Sequence, residues 1–247
     1  SVSLNMESFN EIIDFTKNSI SKDDLKPALQ GVLFKIDSSQ ILGVSTDGHR
    51  LSRIIIKNDK EQPREHEIIV PIKFLTLLNS YINKEDQVEL EISENYISVS
   101  RKNQTIFSRI IKDSYPDYEK VVPLDNNKQL VINRQNLIDG IKRVSIFSNR
   151  STKQITLKIN KTETIIQTED AEKAASGKEL LQSNFSDDNE LKIGFNANFI
   201  LEALNQINQK DVTIFLNTPL SAAILTEKDE ALKKDKLLLL MPIRLND

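Results

Sequence analysis

The sequence has 247 residues and contains no cysteine, no tryptophan, only two histidines and only six glycines. Each shortage excludes something. Without cysteine there are no disulfides, no thiolate metal sites and no thiol nucleophile. Two histidines leave little for a metal cluster. Six glycines do not assemble into the glycine-rich loop that cradles a phosphate. No apolar run approaches the ~20 residues that cross a bilayer, and the Leu237–Leu240 run reads as a buried strand. Aromatic residues make up 6% of the chain, so aliphatic side chains must fill the core. No secretory leader is visible, and the chain starts at Ser1 rather than Met, which points to sequence upstream. A net charge of −3 argues against attraction to nucleic acid over the whole surface, but leaves room for a local basic face. What remains is 38% hydrophobic and 28% charged, the balance of a folded globular protein.

Four segments carry apolar residues at helical spacing. Met6–Ser19 aligns Phe9, Ile12, Ile13 and Thr16. Pro71–Tyr81 aligns Phe74, Leu75, Leu78 and Tyr81. Asn133–Phe147 aligns Leu137, Ile138, Ile141 and Val144, and Asn196–Ile207 aligns Ile200, Leu201, Leu204 and Ile207. Pro71 suits a first helical turn, and Asn133 and Asn196 suit N-caps. A short apolar strand-like run precedes each helix (Val2–Leu4, Ile68–Val70, Leu130–Ile132, Leu191–Phe195). β-Branched or alternating runs follow each one; in Val88–Ile92 the alternation has the period of a half-buried antiparallel strand. The helix centres Phe9, Phe74, Leu137 and Ile200 are 65, 63 and 63 residues apart. Constant spacing with constant element order is the mark of internal duplication. The unit is strand, helix, three strands, and two units make a domain of about 120 residues. The expected class is α+β, with tandem doubled β-α-β-β-β repeats in two domains, helices on one face and antiparallel sheets on the other. The domains are 1–123 and 124–247, with Pro123–Lys128 as the linker. Ala171–Asn189 reads as part strand, over Glu179–Phe185, and part mobile loop.

Two stretches concentrate chemistry. Thr46–Leu51 reads Thr-Asp-Gly-His-Arg-Leu between two strand-like runs, and its Asp-Gly is a tight-turn signal. Asp47, His49 and Arg50 together invite a catalytic reading. No serine or cysteine nucleophile motif and no metal set accompany them. A polar hairpin corner and the rigid lip of a binding pocket are the other readings. The second stretch is the tail Leu239–Asp247. A terminus this apolar needs a docking site to be ordered, and Met241 is the adaptable residue type found at surfaces that bind several partners; taken alone, the tail reads as a plain last strand stopped by Pro242.

Thr46–Leu51, Tyr115–Pro123, Ile193-Gly194-Phe195-Asn196 and Met241–Leu245 together resemble the bacterial DNA polymerase III beta subunit, the replication sliding clamp. That family carries TDGHRL, a (F/Y)PDY…V(I/L)P segment, an IGFN-type helix start and an MPMRL-like tail, in this order. The family builds each subunit from three doubled domains and closes two subunits into a ring around duplex DNA. Four units here therefore resemble its second and third domains without the first.

The resemblance implies a processivity factor without catalysis, metal or cofactor. Its implied partners are duplex DNA, bound without sequence preference, and linear motifs of replicative and translesion polymerases, the clamp loader and mismatch-repair proteins. The implied location is cytoplasmic and nucleoid-associated, with no membrane contact. Carried over by motif, the peptide pocket takes Leu29, Thr46, Gly48, His49, Arg50 and Leu51 from the first domain, and Pro116 and Val121 from the connection. Asn196, Phe199, Leu220, Leu239, Met241, Pro242 and Arg244 come from the second. Apolar members form a concave floor and His49, Arg50, Asn196 and Arg244 orient a peptide backbone. Lys17, Lys73, Arg134, Lys142 and Arg143 are the DNA-facing cations, sharing their helices with Glu7, Glu11, Asp14 and Glu202. Ile146 and Phe147 match the subunit interface, whose other half lies in the missing domain, so this chain alone is expected to be a monomer. The family often has an aromatic near the position of Thr152, and Thr152 offers no aromatic wall. Lys120 keeps the family's basic charge, and the chain runs two residues past the usual terminal Leu.

Overall fold

The computed structural model describes residues 6–57, 65–81, 89–101 and 104–245; the expected strand Val2–Leu4 lies outside them. The chain forms two units, Ser1–Asp117 with Lys228–Leu237, and Tyr118–Glu227 with Leu238–Asp247. The first unit therefore includes a short piece contributed from near the C-terminus.

In the first unit, helix α1 (Met6–Thr16) passes through a 3-10 turn, Lys17–Ser19, towards strands β1 (Gly31–Ile36), β2 (Gln40–Thr46) and β3 (Arg50–Lys57). The expected stripe is the buried one: Phe9, Ile12, Ile13 and Thr16 are all 2% exposed or less. Phe9 stacks on Phe34 of β1 with ring centroids 5.1 Å apart. The helix ends at Thr16, where the hydroxyl of Ser45 on β2 donates to the Thr16 carbonyl at 2.6 Å, satisfying an orphan acceptor of the last turn. The second repeat follows as β4 (His66–Pro71), α2 (Ile72–Tyr81), β5 (Glu89–Ile92), β6 (Tyr96–Arg101) and β7 (Gln104–Arg109). Pro71 is the last residue of β4, paired with Gly31, rather than part of the helix. It still serves the same transition, since a proline there leaves no N–H unpaired. Antiparallel pairing orders the strands β3-β2-β1-β4 and, separately, β5-β6-β7, with one bridge from Ile69 to Ile111.

The late contribution, Lys228–Leu237, is the tip of a hairpin between β14 (Ala223–Asp229) and β15 (Lys234–Leu240), and β15 is the neighbour of β3. The Lys57 amide donates to the Lys233 carbonyl at 3.0 Å. Lys234 and Lys236 both reach Glu11 of α1, at 2.6 and 3.2 Å. The Lys236 ammonium also lies 5.5 Å from the centroid of the Phe15 ring.

The second unit repeats the plan as β8 (Lys128–Asn133), α3 (Arg134–Ser145), β9 (Gln154–Ile159), β10 (Glu163–Asp170), β11 (Ala175–Phe185), β12 (Leu191–Asn196), α4 (Ala197–Asn205) and β13 (Asp211–Leu216), followed by β14. The strand order is β12-β9-β10-β11-β8-β13-β14. Leu137, Ile138, Ile141 and Val144 of α3 and Ile200 and Leu204 of α4 are buried, as their spacing predicts. β11 corrects the reading of Ala171–Asn189. It is one strand of 11 residues, paired with β10 from Ala175 to Gln182. Its faces alternate between half-buried and exposed, and both carry polar residues, so the usual alternation of apolar and polar does not mark it.

Candidate functional site

The Thr46–Leu51 stretch is a hairpin turn that satisfies its own polar groups. Thr46 pairs with Leu51 across the strands. The Asp47 carboxylate accepts from the backbone N–H of His49 at 2.9 Å and of Arg50 at 3.0 Å, and its other oxygen accepts from Arg50 Nε at 3.1 Å. The Thr46 hydroxyl donates to the Arg50 carbonyl at 2.7 Å and accepts from the Gly48 N–H at 3.1 Å. Gly48 has φ +90°, a conformation that costs other residues strain. Asp47 is thus committed to the turn and to Arg50. The His49 side chain is exposed, with no hydrogen-bond partner for its imidazole among the described residues. The catalytic reading of this trio has no nucleophile and no oriented base to stand on. Among the described residues no group of three or more His, Asp or Glu is arranged to hold a metal ion.

Leu51, Leu29 and Leu239 are buried, at 1%, 9% and 3% exposure, while Val121, Leu220 and Met241 stand exposed. Leu29 sits in a 3-10 turn, Pro27–Gln30. Pro116 is exposed.

In the second unit several predicted residues converge on the start of α4. Asn196 is its N-cap, accepting from the N–H of Asn198 at 2.9 Å and of Phe199 at 3.3 Å. Its amide nitrogen donates to the Thr152 carbonyl at 3.1 Å, and the next amide, Ala197, donates to the Lys153 carbonyl at 2.8 Å. The loop so engaged is shaped by Asn149. The Asn149 side-chain oxygen accepts from Ser151 and Thr152, and its carbonyl accepts from Lys153, which takes a left-handed φ of 49°. On the other edge of β12 the tail docks. Ile243 donates to the Gly194 carbonyl at 2.8 Å in a single antiparallel bridge. A methyl group on Gly194 would lie 2.6 Å from Leu245 Cδ2 and 2.8 Å from the Ile243 carbonyl, so only glycine permits this approach. Asn149, Lys153 and Gly194 were not picked out as site residues from the sequence. The Asn-Arg-Ser-Thr run, with a side-chain acceptor two residues before a backbone donor, was the available signal.

The other half of the unit mirrors this arrangement. Asn133, 63 residues before Asn196, caps α3 by accepting from Asn136, and its amide nitrogen lies 3.4 Å from the Lys210 carbonyl, to which Arg134 N–H also donates. The Arg134 guanidinium donates to the carbonyls of Gln209 and Leu204, at 3.1 and 3.2 Å, tying the end of α4. Arg143 makes a two-pronged pair with Glu179 of β11, at 2.9 and 2.6 Å, which holds the Glu179 carboxyl below its usual range. Lys17 pairs with Asp14 at 2.8 Å. Of the five expected DNA-facing cations, only Lys73 and Lys142 are exposed with no ion-pair partner among the described residues. Ile146 and Phe147 are exposed at the end of α3, as is Leu180 on β11. Among the described residues, β11 pairs over Ala175–Gln182 with β10 alone, since β8 meets it at Ser183–Phe185.

Comparison with known proteins gives one consistent answer. Residues 3–117 match the family described as DNA polymerase III beta subunit, central domain, and residues 119–244 match DNA polymerase III beta subunit, C-terminal domain. A beta sliding clamp from Pseudomonas putida is 29% identical over 243 residues, covering 98% of this chain and 65% of its own length. The Bacillus subtilis beta sliding clamp is 25% identical over 236 residues, covering 94% and 61%. The chain thus spans less than two thirds of the curated relatives it matches. The crystal structure of DNA polymerase III subunit beta from Pseudomonas aeruginosa superposes with a TM-score of 0.89 at 26% identity, over 98% of this chain and 66% of that one.

Proposed function

Because this chain belongs to the DNA polymerase III beta subunit, or beta sliding clamp, family, we propose that it acts in a DNA polymerase processivity factor, without catalysis, by tethering partner proteins to duplex DNA. The observation that carries the reading is the match of two successive clamp domains over nearly the whole chain. The partners are replicative and translesion polymerases, the clamp loader and repair proteins, each presenting a short linear motif to a peptide-binding pocket. Docking of Ile243 beside Gly194, next to the capped start of α4, supports the second domain's share of that pocket. Exposed Met241 and half-buried Phe199 supply apolar contact, and His49, Arg50 and Arg244 supply polar orientation. His49 then acts as pocket wall rather than catalyst. On the clamp reading the protein works in the cytoplasm, at the nucleoid. Fluorescence polarisation with a labelled peptide of the QLxLF type tests the reading. Micromolar binding is expected, with loss in a variant lacking Met241–Asp247. A folded chain with no affinity would overturn the peptide-binding role.

Ring formation is a second part of the reading, favoured by one observation. The unpaired stretch of β11 beside exposed Ile146, Phe147 and Leu180 offers an edge and an apolar patch together. The complementary surface belongs to the family's first domain, so ring closure takes a full-length pair of subunits. Inside the ring, Lys73 and Lys142 would carry the phosphate contacts, with lesser shares for the engaged Lys17, Arg134 and Arg143. Sedimentation velocity with and without a short duplex checks both points. The chain should run as a monomer, hold duplex weakly, and release it at raised salt or on Lys73→Glu with Lys142→Glu. Self-association through Ile146 and Phe147, or salt-insensitive binding, would count against this arrangement.

A further inference from the structure

The start of α4 is ringed by positive charge. Arg150 and Lys153 belong to the loop stitched to Asn196 and Ala197, and Arg244 follows the residue that bridges Gly194. Arg150 and Arg244 are exposed, Lys153 is half-buried, and none of the three has an ion-pair partner among the described residues. Segments 149–154, 196–200 and 241–245 contain no aspartate or glutamate. The first carboxylate along α4 is Glu202, which is half-buried and already engaged. The N-terminal end of the helix adds partial positive charge of its own. The loop backbone that carries two of these cations is also held in place. Asn149 fixes the loop through three hydrogen bonds to Ser151, Thr152 and Lys153, and the Asn196 amide clamps it to the helix. Half-buried Phe199, in the first turn of α4, and exposed Met241, three residues before Arg244, add apolar surface.

A surface that mixes apolar contact with cations lacking an ion-pair partner among the described residues selects for a ligand with the opposite mixture. A nucleic-acid backbone supplies the charge without apolar anchors, and a wholly apolar segment leaves the cations unused. We infer that this surface takes linear peptides whose apolar anchors are flanked by acidic residues, so that Arg150, Lys153 and Arg244 are specificity determinants of partner choice. The inference rests on the peptide-binding reading above and specifies the chemistry of its partner. Because the charges are exposed and screened by salt, their contribution is a preference rather than a requirement.

The test uses the whole 247-residue chain and the neutral QLxLF-type peptide, compared with the same peptide extended at either end by two glutamates or two lysines. At low salt, the glutamate-extended peptide is expected to bind about three- to ten-fold tighter than its lysine counterpart at one end, and the gap should close in molar salt. Arg150→Glu with Lys153→Glu should reverse the preference. Arg244→Glu, which leaves the loop untouched, should narrow it. Equal affinities for both extensions at both ends, with the neutral peptide still bound, would overturn this inference alone. Failure of every peptide to bind the folded chain would overturn it together with the reading on which it rests.

Discussion

Asn133 and Asn196 each perform two tasks with one side chain. The oxygen caps a helix and the nitrogen reaches a carbonyl in a loop of the other repeat, Lys210 in one case and Thr152 in the other. The capping task was legible from the sequence, since asparagine before an apolar helical stripe is an N-cap signal. The second bond was not, because its acceptor lies 77 residues away for Asn133 and 44 for Asn196. The near-symmetry provides its own control. Replacing either asparagine by alanine should cost about 1–2 kcal/mol in urea denaturation, from the lost cap and the orphaned carbonyl. Only Asn196→Ala should also weaken peptide binding, because only its loop borders the proposed site. Equal effects on peptide affinity from both variants would dissolve the functional distinction between the two loops. The same limit of local sequence explains Arg134 and Arg143. Read as DNA-facing cations, they engage Leu204 and Glu179, partners brought near only by the fold.

At the scale of elements, helices were easier to read than strands. A helix buries a stripe, and Phe9, Ile12 and Ile13 or Leu137, Ile138 and Ile141 declare it within two turns. β11 declares nothing of the kind. Its residues Ser176, Lys178, Leu180 and Gln182 are exposed, and Gly177, Glu179, Leu181 and Ser183 are only half-buried. Neither face is a core, so hydropathy alone gives no alternation to find. The same lack of commitment is what leaves part of its edge open for another strand. The tail was legible as something needing a dock, but the dock was hidden. Gly194 inside Ile-Gly-Phe-Asn gives no local reason for its glycine; the reason is Leu245, packed against it.

For the molecule as a whole, the duplication was legible from spacing, and the motif order carried the family. The contribution of residues 228–237 to the first unit was not, because nothing in Lys-Asp-Glu-Ala-Leu-Lys-Lys-Asp-Lys-Leu distinguishes a hairpin tip that packs from one that projects into water. Its removal should be felt far away in sequence. A variant ending at Glu227 loses the strand beside β3 and both lysine partners of Glu11. The first unit should be weakened by at least about 2 kcal/mol. Hydrogen exchange would show this as lost protection in α1 and β3, and unchanged protection there would mean that the hairpin tip contributes no stability to the first unit.

That dependence also has a clock. Residue 237 follows Asp117 by 120 positions (237 − 117), so during synthesis the first unit waits for its last strand while Tyr118–Glu227 of the second unit is made. At ~5–20 residues per second the wait is roughly 6–24 s. Throughout that interval β3 lacks its neighbour β15, and its edge stays unfinished until that final segment arrives.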